Sequence, residues 1–286
     1  MRILLKIKQY ATLVMFEHTI FSLSFGIVSM LLAGEGRVEI QTVALILVAL
    51  VSARTGANAL NRAIDAEIDA ANPRTRSRQL PQKILNKKEV VLFSLASFAI
   101  MVAAAFMISP LCGLLSPIAL FMMVTYSYTK RFTWACHLYL GATCAIAPMG
   151  AWLAVTGRFD VIPVLLSLIN MLWVAGFDII YGSLDYDFDS AQNLFSIPKR
   201  FGVKRGLSIA AGLHFLAVSL MFLVGFLSDT LSFVYYLGPV IIAFLLIYEH
   251  KIVSPNNLAH AKIAAYNVNQ VVSVVFMVFG VISIYI

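Results

Sequence analysis

A stripe of polar residues ends the second apolar stretch of the chain and could bind a metal ion. Arg54, Asn58, Asn61, Asp65 and Asp69 follow one another at steps of four, three, four and four residues, which places them on one face of a helix. Asn61, Asp65 and Asp69 offer the hard oxygen ligands that Mg²⁺ prefers, and bound Mg²⁺ commonly bridges to phosphate oxygens. The stripe therefore predicts a magnesium site. A solvated helix end is the alternative interpretation.

A second stripe repeats this chemistry and strengthens the prediction. Asp178, Tyr181, Asp185 and Asp189 follow one another at steps of three, four and four residues. Two separate helix ends with carboxylates at this spacing argue against coincidence, so Asp178, Asp185 and Asp189 are predicted as further metal ligands. Asp187 lies about 200° round the helix from Asp185 and is predicted to face water or the neighbouring basic loop.

Each stripe is followed by a proline and a basic loop. Asn72-Pro73-Arg74 follows the first stripe, and Ile197-Pro198-Lys199-Arg200 follows the second. The shared order of parts indicates a weak internal duplication, with one site between the two halves. We therefore predict a single domain over residues 1–286, with its acidic motifs at residues 61–69 and 178–189.

A diphosphate bound by the predicted metal ion would still carry negative charge, and this charge grows if the diphosphate is a leaving group. Cations near both motifs could offset it. Tyr126 and Lys130 lie one helical turn apart, where a hydroxyl and an ammonium group can reach the same phosphate. An interfacial belt of aromatic and basic residues explains this pair equally well. Further candidates for substrate binding are Asn58, Tyr181, Arg74, Arg78, Lys199 and Arg200. Membrane topology alone also accounts for most of the loop cations.

Arg54 lies deeper than the predicted metal ligands. It precedes Asn61 by seven residues, or about 10 Å at 1.5 Å per residue. A charge at that depth in a membrane is costly unless it is paired. One hypothesis is that Arg54 binds the carboxylate of a substrate, while Glu17 or His18 orients this substrate or accepts its proton. An internal ion pair between Arg54 and Glu17 is the alternative.

The composition is that of a membrane protein. The chain has 286 residues, of which 60% are hydrophobic and 12% charged, so it has too few polar side chains to cover a water-soluble surface. Long apolar runs recur throughout, and about 20 residues cross the hydrocarbon core as a helix. The sequence therefore predicts an all-α bundle of nine transmembrane helices. They cover residues 10–33, 39–60, 89–109, 111–129, 134–156, 161–181, 207–227, 231–249 and 263–285.

The basic residues sort to one side of this predicted bundle. With the N-terminus in the cytoplasm, eighteen of the twenty-one Lys and Arg residues fall in cytoplasmic segments, as the positive-inside rule requires. The C-terminus is then outside, and the active site opens at the cytoplasmic side. Membrane topology therefore accounts for the net charge of +7, and the distribution argues against a nucleic-acid partner. Because no Ser- and Arg-rich transit segment is visible, we predict the inner membrane of a bacterium.

The remaining residues that could bind metals carry no such prediction. The three cysteines lie in or beside apolar segments without paired spacing, so neither disulfides nor zinc is indicated. They are Cys112, Cys136 and Cys144. The histidines beyond the first helix are scattered singly and are assigned no ligand role. They are His137, His214, His250 and His260.

The two acidic motifs resemble those of the UbiA family of intramembrane aromatic prenyltransferases. Residues 54–69, continuing to Leu80-Pro81, are similar to the family's NxxxDxxxD motif and its loop, and residues 178–189 to the DxxYxxxDxxxD motif. Tyr126 and Lys130 match its YxxxK element. The resemblance extends over most of the chain. It implies that Mg²⁺ and a polyprenyl diphosphate are bound by Asn61, Asp65, Asp69, Asp178, Asp185 and Asp189, and that Asp65, Asp69, Asp185, Tyr126 and Lys130 are catalytic.

Within this family, residues 16–21 and 196–202 look like the 4-hydroxybenzoate polyprenyltransferase-like branch. That branch includes enzymes of the futalosine route to menaquinone, whose acceptor is a dihydroxynaphthoate. The implied acceptor is therefore an aromatic hydroxy acid, either 4-hydroxybenzoate or 1,4-dihydroxy-6-naphthoate. Arg62 departs from the family, because many members have Asp at this position, and its presence removes a possible metal ligand.

The resemblance implies a reaction driven by ionisation. The allylic C–O bond breaks as charge moves onto the diphosphate, apolar helices keep water away, and the electron-rich ring attacks ortho to its hydroxyl. Cation or proton transport is the main rival, because intramembrane Asp and Arg also mark ion pathways. The predicted carboxylates cluster at cytoplasmic helix ends and not near the membrane midplane, which favours the enzyme. The Asp-Gly…Ala-Arg…Gly signature of CDP-alcohol phosphotransferases is absent.

Overall fold

The computed structural model describes residues 2–15 and 20–286, and its regular elements there are helices. The all-α prediction is confirmed. The α-helices are α1 (Arg2–Leu13), α2 (Ile20–Ala33), α3 (Ile40–Ile64), α4 (Ala66–Ala71), α5 (Lys87–Ile108), α6 (Pro110–Thr129), α7 (Cys136–Cys144), α8 (Ile146–Thr156), α9 (Val161–Gly182), α10 (Tyr186–Ala191), α11 (Ile197–Phe201), α12 (Val203–Leu227), α13 (Leu237–Lys251) and α14 (Asn269–Tyr285). Shorter turns are the 3₁₀ segments Ser183–Asp185 and Phe233–Tyr236 and the π-helical segment Ile263–Val268.

Eight helical segments of the described chain are long and apolar enough to cross a membrane, and they correspond to the last eight predicted spans. The first predicted span, residues 10–33, differs. Helix α1 ends at Leu13, and α2 is an apolar helix of 14 residues that begins at Ile20. Residues 16–19 lie outside the described part. The chain is therefore a multi-pass membrane protein.

The outer faces of these helices are strongly apolar. Phe106, Phe121, Phe226 and Phe244 each expose more than half of their surface. Apolar surface on this scale is unusual for a soluble protein and suits contact with lipid.

The chain packs into two compact units. Unit 1 comprises Met1–Thr19 and Ala44–Tyr128, and it holds the first acidic motif. Unit 2 comprises Ile20–Val43 and Thr129–Ile286, and it holds the second. The single functional domain over residues 1–286 stays a prediction.

Apolar contacts among α1, α3, α5 and α6 hold unit 1 together. One buried cluster joins α1, α3 and α5 around Val90, and another joins α3, α5 and α6 around Phe98. Gly56 lets α3 and α5 approach closely, because a Cβ there would lie 2.7 Å from the Phe98 ring. The Gly56 carbonyl also accepts a hydrogen bond of 2.7 Å from the Ser94 hydroxyl.

At the surface of unit 1, an ion pair of 2.8 Å joins Lys6 of α1 to Glu89 of α5. The hydrogen bond to Glu89, and then its charge, raise the pKa of Lys6 above its usual value. Lys6 therefore stays cationic at neutral pH. An exposed pair of this kind adds little stability, so α1 is attached mainly by the buried contacts of Leu13 and Val14.

An aromatic core holds unit 2 together. Phe25 of α2 stacks on Phe276 of α14 with a centroid distance of 4.1 Å and on Trp173 of α9 at 5.5 Å. All three rings are almost fully buried. Offset aromatic pairs add to the free energy already gained from burying such large side chains.

A buried polar network crosses this core. The Trp173 indole donates to Asn269 Oδ1 at 2.5 Å, and the Asn269 amide donates to Glu249 Oε1 at 3.0 Å. His214 lies 3.2 Å from the Trp173 carbonyl through Nε2 and 3.0 Å from His250 Nε2 through Nδ1. Helix packing therefore pairs His214 with His250 across 36 residues of sequence, although the two stand singly in the chain.

The close crossing of α7 and α9 generates a prediction about stability. A Cβ at Gly141 would collide with the backbone carbonyl of Met171. We expect Gly141→Ala to lower the free energy of unfolding by about 1–3 kcal/mol, because the two helices must separate. Gly150→Ala on α8 is the matched control, since a Cβ there would meet no described atom within 4 Å. Thermal unfolding in detergent measures both, and equal melting temperatures would contradict the close crossing.

Candidate active site

Both acidic motifs interrupt their helix, and this corrects the prediction of continuous helical stripes. Helix α3 gives way to α4 at Asp65, which has φ −89° and ψ 4°. Helix α9 gives way to α10 through a 3₁₀ turn that ends at Asp185, which has φ −99° and ψ 7°. The central Asp of each motif thus adopts the same bridging backbone conformation, one in which active-site residues are often found.

The two motifs match further along the chain. Each junction opens a helix of six residues, α4 or α10. The second Asp of the motif occupies the fourth position of that helix, as Asp69 in one case and Asp189 in the other. The backbone therefore repeats the order of parts that the sequence indicated.

Asp65 and Asp69 are nearly buried, with 4% and 5% of their surface exposed. Asn61 Nδ2 donates to Asp65 Oδ2 at 3.1 Å, and Arg78 Nη1 donates to Asp69 Oδ1 at 2.7 Å. Asn61 Nδ2 also lies 3.4 Å from Ser127 Oγ. Because its amide nitrogen is engaged in these contacts, Asn61 has its amide oxygen available as a cation ligand.

The loop after α4 returns Arg78 to the first motif. Asn72 Oδ1 accepts a hydrogen bond of 2.9 Å from the Arg74 backbone N–H. The Thr75 hydroxyl donates to the Asp69 carbonyl at 3.0 Å. These local bonds shape the basic loop, and the charge-assisted bond from Arg78 to Asp69 closes it.

Asn58 and Arg62 contact the segment at the end of α1. Asn58 Nδ2 donates to the Val14 carbonyl at 2.7 Å. Arg62 donates to the Leu13 carbonyl at 3.4 Å and lies 3.1 Å from Met15 Sδ. The departure at Arg62 therefore has a structural role, because its side chain links α3 to α1.

Two further residues predicted for the site lie in α3 and α6. Arg54 is partly buried in α3, and Tyr126 is partly buried in the last turn of α6. Glu17 and His18 lie outside the described residues. Binding of a substrate carboxylate by Arg54 stays a prediction.

His137 contacts Asp178, the first Asp of the second motif. The sequence did not predict this contact. His137 Nδ1 lies 2.7 Å from Asp178 Oδ2. The histidine is 5% exposed and lies in the first turn of α7, whereas the Asp178 side chain is 26% exposed. Since 41 residues separate the pair, no local spacing could reveal it. The one available signal was a histidine in an apolar segment, where polar groups are costly.

Asp189 lies among several polar groups of unit 2. Its carboxylate lies close to the Ser196 side chain and within electrostatic range of Asp185, Lys130 and His137. The structure thus brings Lys130, which follows the end of α6, to the second motif.

Phe195 joins the loop after α10 to the segment that contains Lys130. Its backbone N–H donates to the Lys130 carbonyl at 2.7 Å, and its carbonyl accepts a contact of 3.4 Å from Cys136 Sγ. Lys199 Nζ lies 5.5 Å from the centre of the Phe195 ring. Arg200 is exposed.

Tyr181 packs edge-on against Tyr266, with 4.6 Å between ring centroids. Tyr266 lies in the π-helical segment Ile263–Val268, a type of turn that is frequent at functional sites. On the other side of this motif, Asp187 is exposed, as predicted.

The donor chemistry of both motifs suits Mg²⁺, because their side chains offer carboxylate and amide oxygens. Among residues 2–15 and 20–286, no group of three or more His, Cys, Asp or Glu side chains is gathered closely enough to hold a metal ion. Neither motif is therefore a closed cage. Mg²⁺ typically takes one or two carboxylates together with substrate phosphates and water, so open motifs of this kind fit it.

Curated relatives of this chain include two kinds of prenyltransferase. A 4-hydroxybenzoate octaprenyltransferase from Shewanella woodyi is 24% identical over 255 residues, which cover 89% of this chain and 88% of the relative. A protoheme IX farnesyltransferase from Korarchaeum cryptofilum is 26% identical over 193 residues, which cover 66% of this chain and 65% of the relative.

Solved structures share the fold. A UbiA homologue from Aeropyrum pernix is 31% identical with a TM-score of 0.84, covering 93% of this chain and 97% of that one. A UbiA homologue from Archaeoglobus fulgidus, bound to GPP and Mg²⁺, is 20% identical with a TM-score of 0.70, covering 97% of this chain and 100% of that one. Residues 22–279 match the UbiA prenyltransferase family, so this chain belongs to that family and is a prenyltransferase.

Proposed function

We propose that this prenyltransferase uses Mg²⁺ to transfer a polyprenyl group from polyprenyl diphosphate to an aromatic acid of the 4-hydroxybenzoate type. The observation that carries the proposal is the pair of matched acidic junctions at Asp65 and Asp185, each with further oxygen ligands one turn away. The homologue bound to GPP and Mg²⁺ supports the first substrate and the ion. The relatives named 4-hydroxybenzoate octaprenyltransferase support the acceptor and a role in quinone biosynthesis.

The proposed ligands of the ion, through which the diphosphate is bound, are the oxygen donors of both motifs. They are Asn61, Asp65, Asp69, Asp178, Asp185 and Asp189. Bound Mg²⁺ would neutralise part of the diphosphate charge and so favour departure of this group. Asp69 keeps one oxygen for this purpose, because the described contact with Arg78 uses Oδ1.

Basic side chains complete the neutralisation as the allylic C–O bond breaks and its electron pair stays with the diphosphate. Lys130 lies near Asp189, and its compact ammonium group can stabilise the negative charge of the departing diphosphate. Tyr126 is proposed to donate a hydrogen bond to the same group. The apolar helices around the site exclude water, which would otherwise capture the prenyl group.

The acceptor forms the new C–C bond ortho to its hydroxyl, and loss of the ring proton restores aromaticity. Arg54 is proposed to bind the acceptor's carboxylate, because a partly buried arginine deep in a membrane helix favours an anionic partner. 1,4-Dihydroxy-6-naphthoate is the other acceptor that the sequence resemblance allows. We place the enzyme in the bacterial inner membrane with its N-terminus in the cytoplasm, which follows from the distribution of basic residues.

The first test of this function is a prenyl-transfer assay on the purified protein in detergent. A radiolabelled polyprenyl diphosphate is offered with 4-hydroxybenzoate or 1,4-dihydroxy-6-naphthoate in separate reactions. We expect prenylated 4-hydroxybenzoate with Mg²⁺ and none with EDTA. Product with the naphthoate alone would replace the acceptor, and turnover unaffected by EDTA would contradict the role of the ion.

Asp187 provides a matched control for the second motif. We expect Asp185→Asn to lower kcat at least 100-fold, because loss of a ligand charge weakens stabilisation of the leaving group. Asp187→Asn, two residues further along the chain but exposed, should retain near-normal turnover. Equal activity in the two variants, with equal melting temperatures, would remove Asp185 from the catalytic set.

The role of Arg54 is tested by comparing the KM values for the two substrates. We expect Arg54→Gln to raise the KM for the aromatic acid by about 10- to 100-fold, the effect of losing one charge-assisted hydrogen bond. The KM for the polyprenyl diphosphate should stay within about 2-fold of the wild-type value. The exposed Arg76→Gln is the control. An unchanged acceptor KM in Arg54→Gln would support the alternative of an internal ion pair.

A further inference from the structure

We propose that His137 is a positioning residue for the reaction: it holds one carboxylate oxygen of Asp178 and leaves the other for the Mg²⁺ ion that binds the diphosphate. This inference rests on the proposed function of the second motif. It concerns a residue that neither acidic motif contains.

The contact itself has the geometry of a charge-assisted hydrogen bond. His137 Nδ1 and Asp178 Oδ2 are 2.7 Å apart, at the short end of the range for N–H···O bonds. An imidazole N–H can donate to a carboxylate in either the neutral or the cationic form of the ring. The bond therefore fixes the orientation of the carboxylate without depending on the charge of the histidine.

The surroundings of His137 favour this role over simple packing. His137 Nε2 is buried and has no hydrogen-bond partner among the described residues. A buried polar ring with one unmatched nitrogen is costly in an apolar helix, where Leu or Phe would pack without that cost. The bond from Nδ1 to Asp178 offsets part of this cost.

The backbone around the pair also accommodates the ring. A Cβ at Gly182, one turn beyond Asp178 on α9, would lie 2.7 Å from His137 Cε1. The neighbouring Cys136 contacts the Phe195 carbonyl, which links this end of α7 to the loop beyond the second motif. The ring is therefore confined on the side of the acidic motif.

A carboxylate beside a metal-bound phosphate needs such a partner, because its own freedom of rotation weakens binding. Outer-shell hydrogen bonds that orient ligands typically contribute 10- to 100-fold to metal affinity or activity. In the first motif, the bond from Arg78 orients Asp69. In the second, the bond from His137 does the same for Asp178.

The test compares His137→Leu, which removes the donor, with His137→Asn, whose amide nitrogen can replace Nδ1. We expect the Mg²⁺ concentration for half-maximal turnover to rise about 10- to 100-fold in the Leu variant. The Asn variant should recover most of this loss. A second readout without turnover is the rise in melting temperature produced by Mg²⁺ and inorganic pyrophosphate, which should shrink in the Leu variant alone.

His214→Leu is the matched control for loss of a buried histidine. His214 also packs against a glycine of α9, Gly176, but it contacts neither acidic motif in the described structure. We expect this variant to lower the melting temperature and to leave the Mg²⁺ requirement unchanged. If His137→Leu does not fold, His137→Asn is compared with Gly182→Ala, which displaces the ring and should raise the Mg²⁺ requirement.

A double variant tests whether His137 acts through Asp178. Adding His137→Leu to Asp178→Asn should raise the Mg²⁺ requirement by less than about 3-fold, because the carboxylate to be positioned is already gone. A wild-type Mg²⁺ requirement in His137→Leu, or fully additive losses in the double variant, would overturn the inference while the proposed function stands. A wild-type protein that neither turns over nor is stabilised by Mg²⁺ and pyrophosphate would overturn both.

Discussion

An ionised carboxylate that leaves water must be given hydrogen bonds or opposite charges, and this constraint governs the structure around both motifs. Asp65 receives a hydrogen bond from Asn61, Asp69 from Arg78, and Asp178 from His137. A fully satisfied carboxylate would have little affinity left for a cation. The bond from Arg78 engages Oδ1 of Asp69 and the bond from His137 engages Oδ2 of Asp178, so each bond orients its carboxylate through one oxygen.

The interruption of both helices follows from the same constraint. The C-terminal end of a helix carries a partial negative charge and disfavours acidic side chains, whereas the N-terminal end favours them. By ending one helix and starting another, the chain places Asp65 and Asp185 at the N-cap of a new helix and Asp69 and Asp189 in its first turn. Asp178 stays near the C-terminal end of α9, and it is the acidic residue that pairs with a histidine.

Local patterns in the sequence predicted what depends on local geometry. Hydropathy located the eight long spans, and steps of three and four residues located the acidic motifs. Both signals depend only on residues close together in the chain. The break at Asp65 escaped prediction because a side-chain spacing of four suits either one helix or two helices in sequence.

Contacts between distant segments could not be predicted in this way. The pairing of His137 with Asp178 depends on how α7 crosses α9, and Lys130 and Asp189, which lie within range of each other's charge, are far apart in the sequence. A single sequence gives no measure of such packing. The position of His137 in an apolar segment indicated a buried polar group but could not identify Asp178 as its partner.

The aromatic side of the second motif also depends on Asn269, a buried residue of unit 2. The i→i+5 pattern of the π-helical segment Ile263–Val268 leaves carbonyl groups out of the normal α-helical register. The Asn269 amide donates to the Ala264 carbonyl at 3.1 Å, while its bonds to Glu249 and Trp173 fix the side chain in the core. This arrangement stabilises the turn that places Tyr266 against Tyr181. The aromatic side of the motif is thus set by the core of unit 2, and its acidic side by the helix junction and His137.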